Sequence, residues 1–263
     1  MNLPDPFEAD GFINVAGHKL KSRFMRGKAG KPVVILLHEG LGCVSMWRDF
    51  PDQLHEATGC GVLVYSRAGY GNSSARSLPW PLTYMHDEAT DVLPHIIAAL
   101  EGQDHFLIGH SDGASISAIY AGHEPDAGLK GLVLMAPHVF VEDISIEGIR
   151  AARAAWNTTK LRDHLKRHHG NNVDCAFHGW NDSWLDPDFR PWDITKYLPQ
   201  IMVPILAIQG RDDDYGTLAQ IDTIAQNSGG PVKKLILDGC GHSPQKDQKA
   251  AVLSAISSFI SET

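Results

Sequence analysis

Only four cysteines occur among the 263 residues, and Cys43, Cys60, Cys175 and Cys240 stand far apart without C-x-x-C spacing. That scatter argues against a disulfide framework and against a cysteine-built zinc site, and it predicts a reducing, cytoplasmic setting. Long apolar runs are missing too. None approaches the roughly eighteen residues that a membrane span requires, and Met1 to Glu8 lack the basic and apolar regions of a signal peptide. Basic charge is in deficit, 23 Lys and Arg against 31 Asp and Glu, for a formal net charge of −8. Such a balance disfavours nucleic acid and anionic membrane as partners. The 14 histidines are dispersed, and the groupings that could suggest a metal, His38-Glu39, His168-His169 and Asp212 to Asp214, are runs of adjacent residues. Adjacent residues rarely share one ion, so no metal is expected. What remains is ordinary globular material, 43% hydrophobic and 21% charged, with no repeat or low-complexity linker.

Apolar runs of strand length alternate with helix-like stretches. Val33 to Leu37, Val62 to Tyr65, Phe106 to Ile108, Leu129 to Met135, Val203 to Ile208 and Val232 to Leu237 read as buried strands. A hairpin turning at Ala16-Gly17 precedes them. Helices are predicted over Trp47 to Ala57, Thr83 to Leu100, Ala114 to Ala121, Thr217 to Gln226 and Pro244 to Ile260. Strand and helix in alternation imply right-handed βαβ units and a mostly parallel sheet. The alternation stops between His138 and Pro199, a helix-like stretch rich in Trp and Phe. The expected organisation is a core of residues 1–137 and 200–263 with a helical cap, 138–199, above the strand ends.

Gly109-His110-Ser111-Asp112-Gly113 carries the most chemical information. A serine centred in G-x-S-x-G between a strand and a helix is a nucleophile elbow, where glycines permit a turn too tight for side chains. Serine needs a base, and the base needs an orienting carboxylate. Downstream come Asp212-Asp213-Asp214 after one strand and Gly241-His242 after the last, so the order is Ser, Asp, His. Asp213 is the expected acid, three residues past Gly210, with Asp212 and Asp214 flanking it. The expected oxyanion donors are the amide of Asp112, which follows the nucleophile, and that of Gly40 in the loop His38 to Gly42. His38 is expected to brace that loop.

These motifs, with Arg67-x-Gly69-Tyr70-Gly71-x-Ser73, resemble the α/β-hydrolase superfamily over essentially the whole chain. Ser111-Asp112-Gly113 and Glu147-Gly148-Ile149-Arg150 look similar to valacyclovir-hydrolase-like members. The resemblance implies an eight-stranded sheet, a cap after the sixth strand, a Ser-His-Asp triad, and hydrolysis without a cofactor. One position departs from the pattern, since most members have His-Gly where this chain has His38-Glu39.

The expected reaction is cleavage of a small carboxylic ester through an acyl-enzyme. Thioester or C–C bond hydrolysis uses the same triad, and a cofactor-free dioxygenase or a perhydrolase can occupy the same fold. Glu39, His138, Phe140, Trp180 and Trp184 are the expected substrate-binding residues, while Trp192 is expected in the cap's own core. The Asp112 carboxylate is expected either to cap its helix or to face the pocket and favour amino-bearing substrates. Oligomeric state stays open.

Overall fold

A computed structural model describes residues 10–124 and 126–263. The N-terminal stretch Met1 to Glu8 read above lies outside the described residues. Eight strands form one sheet: β1 (Gly11–Val15), β2 (His18–Met25), β3 (Val33–Leu37), β4 (Gly61–Tyr65), β5 (His105–His110), β6 (Leu129–Met135), β7 (Ile205–Gly210) and β8 (Val232–Leu237). Their order is β1-β2-β4-β3-β5-β6-β7-β8. The pairs β1–β2 and β2–β4 are antiparallel and the other five are parallel. This is the expected α/β-hydrolase sheet.

Apolar runs rather than alternation mark the central strands because both faces are covered. In β3, Val33, Ile35 and Leu37 enter one core while Val34 and Leu36 enter the other, following the two-residue period of a strand. One face is closed by α1 (Phe50–Thr58) and α10 (Lys249–Glu262), through Phe50, Leu54, Val252, Ile256 and Phe259. The other is closed by α2 (Tyr84–Asp87), α3 (Leu93–Ala98), α4 (Asp112–His123) and α8 (Ala219–Asn227). Each fully buried Leu, Ile or Val contributes about 1.5–3 kcal/mol relative to an exposed position.

Prolines break two of the predicted helices. The helix expected from Trp47 instead begins at Phe50, after a 3₁₀ turn over Val44–Trp47 and an Arg48 with φ of 54°. Pro51 lies in the first turn, where its missing N–H costs nothing. The helix expected over Thr83 to Leu100 is likewise split by a π turn, Glu88–Val92, and restarts with Pro94 in the first turn of α3. The last predicted helix divides at Gln248 into α9 (Pro244–Asp247) and α10.

Between β6 and β7 the chain builds α5 (Asp143–Thr158), α6 (Leu161–His169) and α7 (Val173–Leu185). Aromatic packing holds this insertion together. Trp156 stacks on Phe177 at 3.9 Å, and Trp184, Phe189 and Trp192 pack mutually. Trp192 belongs to that core, as expected. His169 ties α6 to the sheet, accepting from the Gly71 amide (2.9 Å) and donating to the Leu41 carbonyl (3.0 Å). Among the described residues, no helix is long and apolar enough to cross a membrane.

The chain leaves β3 toward β4 on one side and returns to β5 on the other. The loops after β3 and β5 therefore diverge, and the crevice between them is where open α/β sheets collect ligands.

Candidate active site

Ser111 follows β5 directly, with φ 53° and ψ −120°. Few non-glycine residues adopt this backbone, and holding one there costs on the order of 1–3 kcal/mol. The surroundings enforce it. The Ser111 amide donates to Met135 O at 2.9 Å, and its carbonyl accepts from the Ala114 amide at 2.8 Å. A Cβ at Gly113 would stand 2.1 Å from the Leu37 carbonyl oxygen, and one at Gly109 2.3 Å from that of Gly113. Both glycines of the motif are thus demanded by close backbone approach.

Two other strand ends bring the remaining groups. The turn after β7 is bonded to the turn after β8, the Asp212 amide donating to Cys240 O at 2.9 Å. His242 Nδ1 lies 2.9 Å from both carboxylate oxygens of Asp213, and its Nε2 lies 3.0 Å from Ser111 Oγ. Asp213 also accepts from Gln209 Nε2 (2.6 Å) and from the Tyr215 amide (2.8 Å). Burial pushes its carboxyl up, but the hydrogen bond and charge of His242, with the Tyr215 amide, outweigh this and hold it below the usual carboxylate range. Asp212 and Asp214 are exposed. An ionised Asp213 fixes the proton of His242 on Nδ1 and leaves Nε2 free to accept from the serine hydroxyl. His110 steadies the same turn, its Nε2 donating to the His242 carbonyl at 2.6 Å.

Beside Ser111 opens a cavity of about 210 Å³. Glu39, Gly40, His138, Trp180 and Trp184 line it, together with His110, Ser145, Ile149, Tyr215 and others. The amides of Gly40 and Asp112 have no acceptor among the described residues. Trp180 lies flat against Gly40, where an added Cβ would come within 2.2 Å of the indole. Glu39, at the position that departs from the family pattern, is paired with His110 (3.3 Å) and Lys246 (3.6 Å). Burial pushes its carboxyl up, but those two partners prevail and hold it well below the usual range. His138 stands 5.6 Å from the His242 ring and 5.2 Å from Trp184. Burial, reinforced by the charge of His242, lowers its imidazole to about 3, so it is neutral at physiological pH.

Two expectations need correction. Phe140 does not line the cavity; it is bridged to Asp193, accepts from Gln220 Nε2 through its carbonyl, and packs against the core. Nor does the Asp112 carboxylate face the pocket. It is fully buried, accepts from Tyr84 Oη at 2.7 Å, and lies 3.8 Å from Arg67 Nη2. Ser145, Ile149 and Tyr215 were missed. Tyr215 follows the aspartate run directly, a signal available in the sequence, and its ring lies 4.7 Å from that of His242. Nothing in the sequence pattern marks which face of α5 turns inward.

Comparison with known proteins agrees with the fold. The chain is 22% identical over 273 aligned residues to a proline iminopeptidase of Lactobacillus helveticus, covering 89% of this chain and 91% of that protein. It is 25% identical to an N-formylmaleamate deformylase of Pseudomonas putida, covering 94% and 95%. The solved structure of an esterase from Exiguobacterium antarcticum superposes with a TM-score of 0.75 at 20% identity, covering 95% and 99%. The model of the Alpha/beta hydrolase family matches residues 34–255, most of the chain. With the sheet order, the strained serine turn and this match in agreement, the chain belongs to the alpha/beta hydrolase family.

Proposed function

We propose that the protein is a serine hydrolase that cleaves a small carboxylic ester through an acyl-enzyme. The observation that carries this reading is the relay from Ser111 Oγ to His242 Nε2 at 3.0 Å and from His242 Nδ1 to Asp213 at 2.9 Å. In the first half-reaction His242 Nε2 takes the hydroxyl proton as Ser111 Oγ attacks the carbonyl carbon. The carbonyl oxygen becomes an oxyanion, received by the amides of Gly40 and Asp112. The tetrahedral adduct collapses, the ester C–O bond breaks, and the proton on His242 leaves with the alcohol. Water then repeats the sequence on the acyl-enzyme, releasing the acid and restoring Ser111.

The walls bound the acyl group. A cavity of about 210 Å³ lined by Ile149, Trp180 and Trp184 is smaller than the roughly 300–1,000 Å³ typical of sites for drug-sized ligands. Short, uncharged acyl chains fit it, with His138 and Glu39 as the polar part of the wall. The peptidase and deformylase relatives cleave C–N bonds by name, so amides form the second class of substrate to be tried. Four free thiols fit the cytoplasm as its compartment.

A fluorophosphonate probe tests the reading. We expect labelling at Ser111 and turnover of p-nitrophenyl acetate and butyrate that declines for longer chains. Ser111→Ala should abolish labelling and lower kcat by on the order of 10⁴-fold or more. Absence of labelling, or an oxygen-consuming activity that survives Ser111→Ala, overturns it.

A further inference from the structure

The carbonyl oxygen of Glu39 accepts from three donors: Arg67 Nη2 at 2.9 Å, His38 Nδ1 at 2.7 Å, and the Gly42 amide at 3.0 Å. His38 is fixed as the Nδ1–H tautomer because its Nε2 accepts from the Arg67 amide at 3.1 Å. A carbonyl offers two lone pairs, so three donors leave this peptide unit no freedom to rotate. In a trans peptide the C=O and the following N–H point in opposite directions. Pinning the Glu39 oxygen on the Arg67 side therefore turns the Gly40 N–H away from Arg67, and Gly40 lines the cavity.

Arg67 also faces the other donor. Its guanidinium is 3% exposed, sits 4.9 Å over the Tyr70 ring, and lies 3.8 Å from the carboxylate of Asp112. That carboxylate is held in turn by Tyr84 Oη, which accepts from Trp184 Nε1 at 3.0 Å. Burying an ionised guanidinium is expensive, and for stability alone apolar residues of similar volume often serve as well or better. Arg67 places its shorter contact on the loop carbonyl, not on the carboxylate.

We infer that Arg67 is a positioning residue for oxyanion stabilisation, orienting the Gly40 amide through the Glu39 carbonyl and anchoring Asp112 through its carboxylate. The inference rests on the serine-hydrolase reading above. Arg67 touches no substrate. Because it acts on the Glu39–Gly40 peptide and on Asp112 without itself lining the cavity, its removal acts on the transition state and spares ground-state binding.

The test compares Arg67→Lys and Arg67→Met with the wild type on p-nitrophenyl butyrate, with a trifluoromethyl ketone of the same chain length as the tetrahedral analogue. We expect kcat to fall by up to about 100-fold, the lower end of what losing an oxyanion donor costs. KM should stay within about twofold, and the ketone should lose affinity by the same factor as kcat/KM. Folded variants with unchanged kcat, or with substrate and ketone affinity falling equally, overturn the inference. If neither Arg67 variant folds, His38→Asn and His38→Leu decide the matter. The first keeps a donor toward the Glu39 carbonyl and should retain most of kcat; the second should lose about tenfold. Equal rates for the two overturn the inference. A wild type that is neither labelled at Ser111 nor active removes the hydrolase reading and this inference together. An active wild type with unaffected variants removes the inference alone.

Discussion

Ser111, Asp213 and His242 stand on turns whose backbones are pinned by hydrogen bonds and close glycine contacts, whereas Ile149, Trp180 and Trp184 stand on helices held by aromatic packing. The floor of the cavity tolerates little at its few special positions and is indifferent to most others. The roof depends mainly on shape and volume, with a few buried hydrogen bonds such as Asn181 Nδ2 to the Ile149 carbonyl joining its helices. Reaction chemistry should therefore track the floor, and acyl-chain preference the roof.

The largest expected effect falls on the floor. Asp213→Asn should lower kcat by on the order of 10⁴-fold, because an amide no longer fixes the imidazole proton on Nδ1. Asp212→Asn and Asp214→Asn, both exposed, should stay within about twofold of wild type in the same steady-state assay. Sensitivity at either flanking residue would break the contrast.

In the roof, Phe177→Ala removes a fully buried ring stacked on Trp156. Denaturant titration should show a loss of about 3–5 kcal/mol, while fluorophosphonate still labels Ser111. Lost labelling in a folded variant would show that the roof carries chemistry after all.

The smallest effect lies where floor and roof meet. His138 binds a proton at about 3 when folded and near 6.5 when unfolded. Between those values the unfolded chain holds the extra proton, so stability falls as pH drops through the window, by about 1.4 kcal/mol per unit from this residue. His138→Gln should flatten the decline of urea-unfolding stability from pH 6 to 4 relative to wild type. An unchanged slope would place the His138 ring in a wetter setting.

This contrast also explains what the sequence disclosed. The convergence of Ser111, Asp213 and His242 was legible because backbone geometry leaves signatures: paired glycines, a glycine ending a strand, a fixed order along the chain. Strands β3, β4 and β5 were legible for a related reason, since burial on both faces leaves mostly apolar runs. Breaks inside helices were overlooked although Pro51 and Pro94 announced them. Roof residues were harder. A Trp in the insertion looks the same in sequence whether it faces a cavity, as Trp180 does, or a core, as Trp192 does. Phe140 was misread, and the Asp112 alternatives could not be separated, because nearness in the chain to a strand end does not say which way a side chain turns.

The flat contact between Trp180 and Gly40 links selectivity to speed. Trimming that indole to admit bulkier acids would also unload the Gly40 peptide, which the proposed mechanism assigns to the developing negative charge. Under the proposed ester hydrolysis, broadening the substrate range by this route should slow turnover of short esters as well as long ones.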